Sequence, residues 1–211
     1  MSRLCVAPIV EGHGETPGIR ILLERIWYEV LGGEAIQIVQ PFRESRGKLV
    51  QEQGLKIAVR SAALKLARLT GPDDLKLVLI LMDADTDCPG KLGPHLLGWA
   101  RGVDTRVDVA CVLANVEYET WFAAAAESLA EYLDLTSFAG ASESPEDARH
   151  KKAWVERRFL VSQQRPKYSP ARDQPAMTRA MDLAVCRDRS PSFAKLCRDL
   201  EQRLRRQAPG A

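Results

Sequence analysis

Apolar residues arrive in two rhythms along the first two thirds of the chain. Short, nearly unbroken runs at 4–10, 36–39, 77–82 and 106–113 alternate with longer stretches in which apolar residues recur every three or four positions. The runs suit strands covered on both faces, and the recurrent spacing suits amphipathic helices. The first helix is expected to open at Thr16 as N-cap with Pro17 behind it and to end near Leu31, before Gly32-Gly33. A second is expected over about 50–69, stopped by Gly71-Pro72, a short third over 93–101, and a fourth from the Glu117-Tyr118-Glu119 stretch to about Leu133. Strands alternating with helices predict a mostly parallel α/β sheet, doubly wound, over residues 1–135. Pro8, which has no N–H to give a ladder, points to an edge position or a bulge for the first strand.

Beyond residue 135 the strand rhythm stops. A Ser-, Gly- and Glu-rich stretch at 136–148 reads as a linker or surface loop, and helical spacing returns over 148–160, 174–186 and 191–206. The prolines of Arg165-Pro166-Lys167-Tyr168-Ser169-Pro170 predict an extended connector. The expected organisation is therefore an α/β domain over 1–135 and a helical extension over 136–211.

Charge sharpens that division. The net charge of +2 over 211 residues conceals 14 basic against 22 acidic residues up to Ala148, a net of −8, and 16 basic against 6 acidic from Arg149 onward, a net of +10. An acidic part concentrates cations and a basic part attracts polyanions, a pairing that fits nucleic acid held over a metal centre. No apolar stretch approaches the roughly 18 residues a membrane span needs, and the early Glu11 leaves no room for a signal peptide, so a cytoplasmic protein is expected. The five cysteines are scattered without a CxxC pair, and Cys5 and Cys111 lie in apolar runs as small core residues.

Candidate chemistry lies just after the strands. Glu11 follows the first apolar run, Asp83, Asp85 and Asp87 follow the third, and Glu117 and Glu119 follow the fourth. In a parallel sheet, loops at the carboxyl ends of neighbouring strands meet at one crevice, so distant acids can share a cation there. Carboxylate oxygens suit Mg²⁺ or Mn²⁺. The candidate metal ligands are Glu11, Asp83, Asp85, Asp87, Glu117 and Glu119, with Glu11 as metal ligand or general base and the last two available to a second ion. Helix capping is the competing reading for Glu15, Glu117 and Glu119. Arg43, Arg46, Lys48, Lys167, Arg172 and Arg179 are candidate phosphate contacts, His13 is a further one, and Tyr168 is placed to stack on a base.

A glutamate after the first strand and Asp-X-Asp after the third resemble the Toprim fold of topoisomerases, primases, recombination mediators and overcoming-lysogenization-defect nucleases. Four blocks are more specific: Ile9-Val10-Glu11-Gly12-His13-Gly14-Glu15; Leu81-Met82-Asp83-Ala84-Asp85-Thr86-Asp87-Cys88-Pro89; Ala114 to Phe122; and Tyr168-Ser169-Pro170 with Asp173-Gln174. With the late Ser192-Phe193, they resemble the bacterial domain-of-unknown-function family 4276. The resemblance implies a Toprim-like, Rossmann-like sheet flanked by helices, Glu11 as catalytic glutamate, Asp83 and Asp85 as metal ligands, and Mg²⁺ or Mn²⁺ as cofactor. It also implies a nuclease acting on nucleic acid, DNA foremost, with a separate ATPase of the ABC or overcoming-lysogenization-defect type in defence against phage. The chain has no Walker A pattern of its own.

Two other classes compete. A non-catalytic Toprim module would bind nucleic acid or a partner without metal. A phosphatase of the haloacid dehalogenase type would use Asp83 as nucleophile, although Asp87 stands where that motif carries Thr and the motif comes late in the chain. Strand passage and priming would both require further domains.

Overall fold

In the computed structural model, residues 3–12, 15–132, 146, 155 and 168–207 are described. Their centre is a five-stranded, wholly parallel sheet: β1 (Leu4–Val10), β2 (Ile36–Ile38), β3 (Phe42–Arg43), β4 (Leu75–Asp83) and β5 (Asp108–Ala114). The order is β2-β1-β4-β5, with β3 pairing with β1 through Ile9–Phe42 and Val10–Arg43. The register joins Val10 to Leu81 and Asp83 to Ala114.

The apolar runs serve two cores at once, because successive side chains of a strand leave by opposite faces. Leu4, Val6 and Val10 join Leu79, Leu81 and Val112 in one cluster, while Cys5, Ala7 and Ile9 join Val78, Ile80 and Cys111 in the other. The first cluster is capped by α1 (Glu15–Arg25) and, late in the chain, by α7 (Pro170–Ala180), α8 (Leu183–Arg189) and α9 (Pro191–Gln207). The second is covered by α3 (Glu52–Leu69) and α4 (Pro89–Arg101). The C-terminal helices thus complete the same core as the sheet: α7 packs on α1 and α9 on β5.

The expected strands are all present, and several details differ. β1 is not an edge strand, being paired on both sides. Leu4 donates its N–H to Ala35 on the β2 side, and by the period of two Pro8 faces that side too. Pro8 therefore lacks its N–H where the neighbouring chain leaves the ladder between β2 and β3, so no bond is lost. The first helix begins at Glu15 and passes after Arg25 into a π-helical turn, Ile26–Val30, closed by Leu31 N–H on the Ile26 carbonyl at 3.0 Å. α4 begins at Pro89, with Pro at its first position, four residues earlier than expected. The fourth expected helix is two, α5 (Glu119–Ala124) and α6 (Ala126–Tyr132), and the 174–186 stretch breaks at Met181, whose ψ of 141° is not helical. The helix expected over 148–160 lies almost wholly outside the described residues.

A four-residue helix, α2 (Arg46–Leu49), lies in the connection from β3 to α3. It sits so close to α3 that a Cβ on Gly54 would stand 2.3 Å from the Lys48 carbonyl oxygen. Glycine is required at this approach for want of space, and α2 is thereby held over the sheet's carboxyl edge.

A candidate active site at the carboxyl edge of β1 and β4

The chain leaves β1 toward β2 through α1 on one face, and later reaches β4 and β5 through α3 and α4 on the other. Adjacent β1 and β4 are therefore where the winding reverses, and the loops at their carboxyl ends part to leave a crevice. Glu11 stands directly after β1 and Asp83 ends β4. Acids after β1 and β4 are thus brought to the switch point, where open parallel sheets as a class carry their ligand crevices.

The loop after β4 is tied to the loop after β5. Ala84 N–H donates to the Ala114 carbonyl at 2.9 Å, and Asp85 N–H to the Val116 carbonyl at 2.8 Å. Asp85 has a φ of +51°, a left-handed conformation that Asp tolerates better than most residues. Asp83 accepts the Tyr118 N–H on Oδ1 at 2.7 Å, so the start of α5 fixes its carboxylate.

The centre of this arrangement is Arg46. From the first position of α2 its guanidinium reaches the Asp83 carbonyl, the Ala84 carbonyl at 3.1 Å and Asp87 Oδ2. Its Nε lies 3.2 Å from Asp85 Oδ2, and Nη1 lies 3.9 Å from Glu11 Oε2. Arg46 keeps only 19% of its side-chain exposure, against 51% for Asp85 and 52% for Asp87. One cation is thus held by three carboxylates, with the aspartates at the solvent edge and Glu11 beneath. Burial raises the Glu11 carboxyl above the ordinary glutamate range, Arg46 opposes that rise, and Asp85 adds to it.

The donor chemistry fits Mg²⁺ or Mn²⁺: hard oxygens from three or four carboxylates around one positive charge. Their spacing is that of a guanidinium. Among the described residues, no three His, Cys, Asp or Glu side chains stand close enough to hold a metal ion together.

Glu119, though also placed after a strand, faces elsewhere. It is 3% exposed, and its Oε1 accepts the Tyr168 hydroxyl at 2.9 Å and Gln174 Nε2 at 3.2 Å. Burial raises its carboxyl, and the two donors partly offset this. Glu117 is half-buried, and its carbonyl accepts the Thr120 N–H.

The candidate phosphate contacts are scattered. Arg43 is exposed on β3, Lys48 pairs with Glu44 at 3.2 Å, Arg172 pairs with Asp173 at 2.8 Å, and Arg179 is exposed on α7. Of the described candidates, only Arg46 enters the acid cluster. Lys167 and His13 lie outside the described residues. A cleft of about 750 Å³ lies by Arg25, Glu29, Met181 and Arg187, at the opposite end of α1 from Glu11. Its position gives it no part in the acid cluster. A smaller one of about 350 Å³ adjoins the β5 edge between the starts of α4 and α9, beside Asn115, Glu146 and Lys195.

Sequence reasoning missed the supporting contacts. The Tyr118 hydroxyl shares a hydrogen bond with Thr178 at 3.0 Å, and Trp121 Nε1 donates to Ser192 Oγ at 2.9 Å. The distinctive Tyr168, Gln174 and Ser192 blocks thus brace the turn that orients Asp83. The available signal was their place among the blocks that carry the family resemblance.

Fold and site together define a doubly wound parallel α/β protein with an acidic cluster at its topological switch point. Over residues 10–201 the chain matches the family described as domain of unknown function, DUF4276, and it belongs to that family. No curated protein matches the chain. No solved structure matches it.

Proposed function

We propose that the protein is a divalent-metal-dependent nuclease that hydrolyses phosphodiester bonds in nucleic acid, with DNA the first substrate to test. The observation that carries this reading is the gathering of Glu11, Asp85 and Asp87 around one cation at the β1–β4 switch point. Asp83 and Asp85 would hold Mg²⁺ or Mn²⁺, with Asp87 beside them and Glu11 beneath as general base or as ligand to a second ion. Bound there, the ion would supply Lewis-acid polarisation of the scissile phosphate.

The remaining steps belong to the chain's own groups. Glu11, half-buried with a raised affinity for protons, takes the proton of the attacking water. Tyr118 N–H keeps the Asp83 carboxylate turned to one orientation. The basic second part of the chain draws the polyanion in, chiefly through long-range charge. The resemblance to overcoming-lysogenization-defect nucleases supports a separate ATPase as partner and a role in phage defence. No helix among the described residues is long and apolar enough to cross a membrane.

A second reading is favoured by Arg46 itself. If its guanidinium closes the acids permanently, the protein is a non-catalytic module that binds nucleic acid or a partner through its basic helices.

The test is cleavage of supercoiled plasmid, single-stranded DNA and structured RNA in Mg²⁺ or Mn²⁺, beside the Asp83→Ala/Asp85→Ala protein. Cleavage lost in the folded mutant establishes the nuclease. Cleavage undiminished in it sinks the assignment, and metal-independent binding with no cleavage, even with an ATPase partner added, selects the module.

A further inference from the structure

The guanidinium of Arg46 occupies the position that the nuclease reading gives to a metal ion, and both cannot stay. A guanidinium and a divalent ion within about 4 Å of each other repel, and each would draw on the same carboxylates. Arg46 meets Asp85 and Asp87 at the solvent side and Glu11 below, so any cation entering there must take these oxygens from it.

Resting on that reading, we propose that Arg46 is the resident counter-cation of the acid cluster, and that it gives the carboxylates up to a divalent ion by moving onto a phosphate of the nucleic-acid substrate. Metal and phosphodiester then bind with positive coupling. Each relieves a cost that the other alone would leave: an acid cluster without its cation, or a desolvated guanidinium without its anion.

Three observations support the transfer. Arg46 reaches the acids by its side chain alone from the first position of α2, so rotation about its own χ angles can move the guanidinium while the backbone stays in place. Its carboxylate partners Asp85 and Asp87 are each about half exposed, and the contact is open on the side from which a substrate would arrive. The planar fork of arginine matches two phosphate oxygens as well as it matches a carboxylate, so the released group has a natural new partner. The two main-chain carbonyls of Asp83 and Ala84 alone would leave its charge uncompensated.

The experiment is calorimetric titration of Mn²⁺ into the full chain and into Arg46→Gln, Arg46→Lys and Asp85→Ala, each with and without a phosphorothioate DNA or RNA strand that resists cleavage. Arg46→Gln is expected to bind Mn²⁺ about tenfold more tightly than the unaltered protein, as expected for loss of a competing site. Arg46→Lys, which keeps the charge without the fork, is expected between them. The strand is expected to tighten Mn²⁺ binding in the unaltered protein and to do so far less in Arg46→Gln. A thermal midpoint that falls in EDTA and recovers with Mn²⁺ would show that Arg46→Gln folds and that the ion replaces the lost charge.

Equal Mn²⁺ affinity in the unaltered protein and a folded Arg46→Gln overturns the counter-cation while leaving the nuclease reading standing. Tighter binding in Arg46→Gln with no effect of either strand in the unaltered protein overturns the transfer to phosphate. Failure of both Arg46→Gln and Arg46→Lys to bind Mn²⁺ overturns the metal reading itself, and this proposal with it.

Discussion

Glu11 and Glu119 each stand just beyond an apolar parallel strand, yet they meet opposite fates. Glu11 lies at the end of a central strand beside a guanidinium, within reach of solvent. Glu119 is turned one step into α5 and sealed under Tyr168 and Gln174, with neutral donors only. Burial raises both carboxyls, but a positive charge opposes the rise in Glu11 alone. A position after a strand therefore brings an acid to the sheet's edge, and the next contact decides whether it can serve a cation or must serve the core. The first arrangement is suited to exchange of partners; the second is suited to permanence.

The contrast can be broken most sharply on the acid cluster. Asp83→Asn, which keeps an oxygen for the Tyr118 N–H but loses the charge, is expected to lower metal-dependent cleavage by at least about a hundredfold. Its urea unfolding midpoint is expected to move little. A comparable loss of stability would place Asp83 among the core supports instead.

On the other side, Glu119→Ala is expected to destabilise the protein by about 2–3 kcal/mol, because it strands two buried donors. Glu119→Gln, which still offers an oxygen to the Tyr168 hydroxyl, is expected to recover most of that loss. Urea denaturation of both variants checks the pair, and equal losses would deny the hydrogen-bond account.

A smaller effect separates the sites by pH. The folded-state pKa of Glu119 is raised, so above the ordinary glutamate value of 4.5 the unfolded chain releases this proton first. Its contribution to stability is then lost as pH rises from 4.5 through the folded value. Glu119→Gln is expected to flatten this slope, and an unchanged slope by urea denaturation across that range would assign it to other groups.

The smallest expected effect is at Asp104. Arg106 holds its carboxyl at about 2, below the ordinary 3.8, on an exposed turn far from either glutamate. Its stabilisation is present above 3.8 and is lost as pH falls through about 2. Asp104→Asn is expected to remove that acid-limb contribution and leave cleavage at neutral pH unchanged, as acid titration and the plasmid assay would show.

The strands and the acid edge were legible because burial on both faces needs unbroken apolar runs, and a parallel sheet brings their ends together. Arg46 was expected only as a candidate phosphate contact, and its place inside the acids was not legible, because it depends on the four-residue α2, too short to leave a periodic signal. The Glu119 cage was hidden for another reason. Its donors lie 49 and 55 residues further along the chain, and no local pattern connects them. Pro8 misled because a missing N–H says nothing about where a neighbouring strand is interrupted.

The close approach at Gly54 gives the cluster a control remote from its charges. With only a hydrogen atom at this position, α2 settles low enough for Arg46 to reach the acids; a methyl group there meets main chain and lifts the helix. Residue 54 thus works as a spacer of adjustable thickness. Variation at this uncharged position would retune how firmly the acids hold their arginine without altering a single atom of the acids or the arginine.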